Sequence, residues 1–137
     1  MTSTVLYQGD LRTTCTHIQS GSDFETDAPV DNNGKGERFS PTDLLATSLA
    51  TCMATVMGIK ARSLGFDLTD LKADVQKVMK ANPRRVGAIQ VFFHIPAALV
   101  NLDEKTRTIL KNTGHTCPVI QSLHPDLEVT IDWGAWN

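Results

Sequence analysis

The sequence predicts an α+β domain in which antiparallel strands accompany one long buried helix. Two patterns in the 137 residues support this prediction. Apolar and polar residues alternate over several short runs, as expected for strands with one buried face. Between these runs, the stretch from Ser40 to Leu64 is apolar on nearly every side, which is typical of a helix that is buried on several sides. A chain of this length and composition is expected to fold as a single domain, residues 1–137.

The amino-terminal third predicts three short strands. Glycine-containing turns, at Gly9-Asp10 and at Gly21-Ser22, separate the alternating runs, and such pairs are typical of chain reversals. A polar loop that is rich in glycine and proline, residues 27–38, follows the third strand. The strands are expected at residues 4–7, 11–19 and 23–26.

The long helix has clear start and stop signals. Ser40 is suited to the N-cap, Pro41 to the first helical position, and Asp43 places negative charge in the first turn. Gly65 is suited to end the helix. Because the apolar residues of this helix cover more than one face, a second subunit is expected to help bury it.

The remainder of the chain predicts two more strands, two helices and a last strand. Alternating apolar residues mark each strand, and Asn82-Pro83 separates the first two. Cys117 is followed by Pro118, which favours the start of a short helix at this point. The elements are expected at residues 71–79, 89–95, 102–112, 117–123 and 127–133.

Composition and charge exclude several classes of function. A net charge of -2 and scattered basic residues do not favour nucleic-acid binding. The apolar stretch Leu44–Ile59 is interrupted by threonines and a serine, so no membrane partner is expected. The amino terminus has no signal-peptide pattern, which predicts a cytoplasmic protein with reduced cysteines.

The three cysteines are the candidate reactive residues. Cys117 lies at a predicted helix start, where unpaired N–H groups and the helix dipole favour a thiolate. Cys52 lies in the middle of the long helix, where it could be a small apolar core residue or one half of a redox pair with Cys117. Cys15 is interpreted as structural. No histidines or cysteines have a recognised ligand spacing, so no metal is expected.

Two motifs resemble those of one protein family. Phe39–Thr55 (FSPTDLLATSLATCMAT) is similar to the first-cysteine helix of the OsmC/Ohr family, the osmotically inducible and organic-hydroperoxide resistance proteins of bacteria. His115–Leu123 (HTCPVIQSL) resembles the Cys-Pro helix of the same family. The order of predicted elements also agrees, and the stretch DAPVDNNGKGERFSP resembles the OsmC-like branch.

This resemblance implies a thiol peroxidase of the oxidative stress response, with a two-layer fold in an intertwined homodimer. It implies that Cys52 attacks an organic hydroperoxide or hydrogen peroxide and that Cys117 then resolves it by forming a disulfide. No cofactor is implied. The reductant would be a thiol, such as that of a lipoylated protein.

The resemblance also implies an arginine that activates Cys52 and a glutamate that holds the arginine. Arg12 and Arg38 are both candidates for the arginine. Thr42 stands at the glutamate position, and the neighbouring acid is Asp43. The departure at Thr42 leaves an alternative function open: a non-catalytic OsmC-like protein that binds a small apolar or thiol-reactive ligand at the dimer interface.

Overall fold

Six strands and three α-helices form the regular structure of the protein, a computed structural model that describes residues 1–137. The chain divides into two units, Met1–Leu45 and Ala46–Asn137. The predicted α+β class is confirmed. In chain order the elements are β1 (Ser3–Gly9), β2 (Arg12–His17), β3 (Asp23–Asp27), α1 (Pro41–Ser63), β4 (Lys72–Ala81), β5 (Arg84–His94), α2 (Glu104–His115), α3 (Pro118–Ser122) and β6 (Glu128–Asp132).

The first unit contains an antiparallel sheet with strand order β1-β2-β3. Cys15 in β2 lies opposite Val5 in β1 and Phe24 in β3, so these three side chains share one face. Six large apolar side chains of this unit are exposed on or beside the sheet. So many exposed apolar side chains are unusual for a surface that stays in water. They are Val5, Leu6, Tyr7, Leu11, Ile18 and Phe24.

Helix α1 begins and ends within one residue of the predicted positions. At its start, the Ser40 hydroxyl accepts a hydrogen bond from the Asp43 N–H, 3.1 Å, and the Asp43 carboxylate accepts one from the Ser40 N–H, 2.8 Å. This reciprocal cap satisfies two backbone donors. At its end, Gly65 has a φ of +90°, and the Phe66 N–H donates to the Ala61 carbonyl, 3.2 Å. A glycine accepts this left-handed conformation without strain.

Within the chain, α1 buries one face and leaves another open. The buried side chains pack into the core of the second unit with Ile89, Val91 and Phe93 of β5. Outside this face Leu45 and Ile59 are 40% and 65% exposed, so the expectation of burial on several sides does not hold within one chain. By length and composition alone α1 could also cross a bilayer, a criterion that core helices of soluble proteins meet as well. The buried face consists of Ala46, Leu49, Ala50, Met53, Met57 and Ala61.

The second sheet has strand order β4-β5-β6. Strands β4 and β5 form an antiparallel hairpin, but β5 and β6 are parallel. The sequence predicted antiparallel strands, and this pair differs because β6 follows a long connection through α2 and α3. Such a crossover returns the chain in the direction in which β5 runs.

Candidate redox site

Cys52 and Cys117 are brought together in the second unit. Helix α1 holds Cys52 near its middle, partly exposed beside the core, and Cys117 is the N-cap of α3. The two side chains are close enough for Cys52 to raise the pKa of Cys117, and both residues are free thiols. Residues that are 65 positions apart in the sequence therefore form one pair of neighbouring thiols.

Burial dominates the chemistry of Cys117. Its side chain is completely buried, and this burial raises the pKa of the thiol. The Ile120 N–H donates to the Cys117 sulfur at 3.4 Å, which acts in the opposite direction but is the smaller effect. The expectation that the helix start activates Cys117 is therefore wrong. A helix of five residues has only a small dipole. Removal from water disfavours the thiolate and has the largest effect on the pKa of Cys117.

Gly114 allows the end of α2 to pack closely against α1 in the core. A Cβ atom at Gly114 would lie 3.1 Å from the sulfur of Met57 and 3.3 Å from the terminal methyl of Met53. Because glycine has no side chain, the backbone three residues before Cys117 can pack directly against α1. The ring of His115 packs edge-on against Trp133, with 5.6 Å between the ring centres.

The first unit contains a polar cluster of its own, centred on Arg12. The Arg12 Nε donates to Asp27 Oδ1 at 2.7 Å, and its Nη2 donates to Asp27 Oδ2 at 2.9 Å and to Glu37 Oε2 at 2.8 Å. Asp27 is only 2% exposed and also accepts a hydrogen bond from the Glu37 N–H, 3.1 Å. The hydrogen bonds from Arg12 hold the pKa of Asp27 below its ordinary value, and the same contacts raise the pKa of Arg12.

These contacts fix the orientation of the Arg12 guanidinium. A bidentate pair with a carboxylate is the strongest geometry available to arginine. The three contacts use Nε and Nη2, which leaves the N–H groups of Nη1 for another acceptor. The sequence alone did not indicate that Asp27 and Glu37 are the partners of this arginine. The signal that could have revealed Asp27 is the strand register, because Arg12 in β2 lies directly opposite Asp27 in β3.

The other predicted site residues have different environments. Arg38 is about half exposed, and it donates from Nε to Glu25, 3.1 Å, and from Nη1 to the Glu37 carbonyl, 3.0 Å. Asp43 accepts hydrogen bonds from the Ser40 backbone and hydroxyl, 2.8 and 2.7 Å, as part of the α1 cap. Cys15 lies on β2 in the first unit. No group of three or more histidine, cysteine or acidic residues is placed to hold a metal ion.

Comparison with known proteins identifies the family. The family model described as OsmC-like protein matches residues 34–132, which include both motifs noted in the sequence. The chain belongs to the OsmC-like family. The resemblance inferred from Phe39–Thr55 and His115–Leu123 is thereby confirmed. No match was found among the curated proteins.

Solved structures extend this likeness over almost the whole chain. A protein of Psychrobacter arcticus 273-4, provisionally assigned as an osmotic stress induced and detoxification response protein, is 53% identical. It matches with a TM-score of 0.92 over 97% of this chain and 95% of its own. An organic hydroperoxide resistance protein OsmC of Legionella pneumophila is 17% identical, with a TM-score of 0.72 over 97% and 96%. The organic hydroperoxide resistance protein OhrB of Bacillus subtilis is 18% identical, with a TM-score of 0.60 over 97% and 98%. At these lower identities the likeness concerns the fold.

The Arg12–Asp27 pair of this OsmC-like protein predicts an acid-sensitive stability. Because folding lowers the pKa of Asp27 from its ordinary value of 3.8, the stabilisation is present above about pH 4 and is lost as the pH falls through the folded value. We expect Asp27→Asn to be less stable than the wild type at pH 7 and to lose less stability on acidification to pH 3. Urea unfolding at both pH values measures this difference. Asp23→Asn, an exposed change on the same strand, should follow the wild type, and equal pH dependence in all three proteins would contradict the prediction.

Proposed function

We propose that this OsmC-like protein is a thiol peroxidase in which Cys52 reduces a small peroxide and Cys117 completes the cycle. The single observation that carries the proposal is the proximity of the Cys52 and Cys117 thiols, which lie close enough for Cys52 to raise the pKa of Cys117. A sulfenic acid formed on one sulfur would lie within reach of the other, which is the requirement for a reversible disulfide. The hydroperoxide-resistance proteins among the structural relatives support the same class of substrate.

The proposed reaction has three steps. The Cys52 thiolate attacks a peroxide oxygen, the O–O bond breaks, and the departing oxygen takes a proton and leaves as an alcohol or water. The Cys117 sulfur then attacks the Cys52 sulfenic acid, so that a disulfide forms and the hydroxyl group leaves as water with the Cys117 proton. A dithiol reductant, such as the lipoyl group of a partner protein, then supplies two electrons and two protons and is itself oxidised to a disulfide.

The difference in accessibility supports a role for Cys52 in the first step and for Cys117 in the second. Cys52 is partly exposed, whereas Cys117 is completely buried and its pKa is raised. A peroxide in solution therefore reaches Cys52 more readily. Because burial raises the pKa of Cys117, this thiol is expected to compete less for peroxide than an accessible thiol would.

Of the two candidate arginines, we assign Arg12 to the activation of Cys52. Two carboxylates orient its guanidinium, one of them buried, while Arg38 is about half exposed beside a partly exposed glutamate. A group that is held in one orientation loses less conformational entropy when it binds a thiolate. Asp27 and Glu37 would hold this arginine in the absence of a glutamate at position 42.

The roles of the cysteines predict distinct products in each mutant. Cys52→Ser should abolish peroxide consumption. Cys117→Ser should allow one turnover and then accumulate a sulfenic acid on Cys52, which excess peroxide oxidises further. Mass spectrometry after one equivalent of an organic hydroperoxide measures both outcomes, with Cys15→Ser as the control that should behave as the wild type.

A sulfenic acid on Cys117 in the Cys52→Ser protein would contradict this assignment of roles. If no variant, including the wild type, consumes peroxide, the peroxidase proposal fails. The binding-protein alternative would then account better for the presence of Thr42.

The role of Arg12 predicts a change in the reactivity of Cys52. A positive charge close to a thiol lowers its pKa by about 1–3 units. Arg12→Gln should therefore slow the alkylation of Cys52 at pH 7 by about tenfold or more, and Arg12→Lys should lose less. Alkylation rates measured between pH 5 and pH 10 give the thiol pKa directly, and circular dichroism verifies folding. Arg38→Gln is the matched control, and a larger effect of Arg38→Gln than of Arg12→Gln would reverse the assignment.

We also propose that the protein is a homodimer, as the resemblance implies. The open face of α1, with Leu45 and Ile59, and the exposed side chains of the first sheet are too apolar to remain in water. Sedimentation at micromolar concentration should show a species of two chains. Phe24→Lys should shift the equilibrium toward the monomer, while Val30→Lys, an exposed change outside the strands, should have little effect. A wild-type monomer at that concentration would contradict the proposal.

A further inference from the structure

One buried donor on α2 has no acceptor. The Nε atom of Arg107 is inaccessible to solvent and makes no hydrogen bond. Buried polar groups in folded proteins almost always have a partner, since the loss of hydration without compensation is costly. The guanidinium of Arg107 has therefore lost part of its hydration at Nε without gaining a partner, which favours an anion beside its accessible terminal nitrogens.

Arg107 lines a small cavity of about 200 Å³ between α2 and the last residues of the chain. Arg107 and Thr108 lie four and three residues before Lys111, so both are neighbours of Lys111 on the surface of α2. Trp136 forms part of the wall. It is 1% exposed, and its indole N–H donates to the Leu99 carbonyl at 2.9 Å, so that this wall is fixed. The cavity is smaller than the range of about 300–1,000 Å³ that is typical for drug-sized ligands, which suits a small molecule.

The polar groups of the cavity are mostly donors. The Lys111 ammonium donates to the Trp136 carbonyl, which occupies one of its three hydrogens. The side-chain amide of Asn137 is occupied by the Trp133 N–H and by Asp132, at 3.0 and 2.7 Å. Arg107, the remaining hydrogens of Lys111 and the Thr108 hydroxyl are therefore available to a ligand. Glu104 lines the cavity and is exposed.

We propose that this cavity binds the oxyanion group of a small molecule, a phosphate or a carboxylate, between Arg107 and Lys111. The planar guanidinium presents its two terminal nitrogens in the spacing that matches two oxygens of such a group. The ammonium of Lys111, one helical turn away, supplies the second charge. This site is formed by α2 and the residues that follow β6, and it does not use Cys52 or Cys117.

Titration calorimetry with inorganic phosphate, and separately with succinate, tests the proposal on the full-length protein at constant ionic strength. We expect saturable binding of at least one of the two anions. Because a hydrogen bond to a charged group contributes enough free energy for about tenfold in affinity, Arg107→Gln should weaken binding about tenfold or more. Arg107→Lys keeps the charge but lacks the planar fork, and should bind more weakly than the wild type.

Lys105→Gln is the matched control, because it removes one exposed charge from the same helix without altering the cavity lining. It should bind as the wild type does. Equal weakening in Lys105→Gln and Arg107→Gln would indicate non-specific attraction and overturn the proposal, as would the absence of saturable binding of either anion. A crystal structure in phosphate in which Arg107 pairs with a carboxylate of the protein or with water alone would also overturn it.

Discussion

The structure depends on the burial of one face of α1 in the core that contains β5. Leu49, Met53 and Met57 on this face are completely inaccessible to solvent. Burying a side chain of this size stabilises a fold by about 1.5–3 kcal/mol, so the face determines the rotation of the helix about its axis. That rotation places Cys52 at the margin of the core, where it meets Cys117 and still retains some exposure.

The same core explains why the two thiols differ. Gly114 lets the end of α2 approach α1 closely, and the chain then enters α3 with Cys117 in the interior. Complete burial of its sulfur raises the pKa of that thiol. The hydrogen bond from the Ile120 N–H lowers the pKa, but by less. A fully buried Cys117 with a raised pKa next to a partly accessible Cys52 is the arrangement on which the proposed order of the two thiols rests.

The first unit shows how an arginine can be held without the glutamate that the resemblance implies. Thr42 cannot form an ion pair with a guanidinium, but Asp27 lies opposite Arg12 across two antiparallel strands, and the loop that follows supplies Glu37. The loss of one carboxylate at the start of α1 therefore does not leave Arg12 without a partner. Because Asp27 is buried and accepts a backbone hydrogen bond as well, it is a firmer anchor than an exposed acid would be.

The sequence by itself determined the element order, the α+β class and the family. Alternation marks strands, and the signals at Ser40 and Gly65 mark helix ends through local interactions that a sequence displays directly. Tertiary structure alone decided the parallel pairing of β5 with β6, the contact of Cys52 with Cys117 and the pairing of Arg12 with Asp27. Each joins residues that are distant in the sequence, so each depends on how the chain returns on itself. Tertiary structure also decided the state of Cys117, since the local argument from its helix start pointed to a lower pKa. Burial reversed that direction, because desolvation is set by every element that packs around the sulfur.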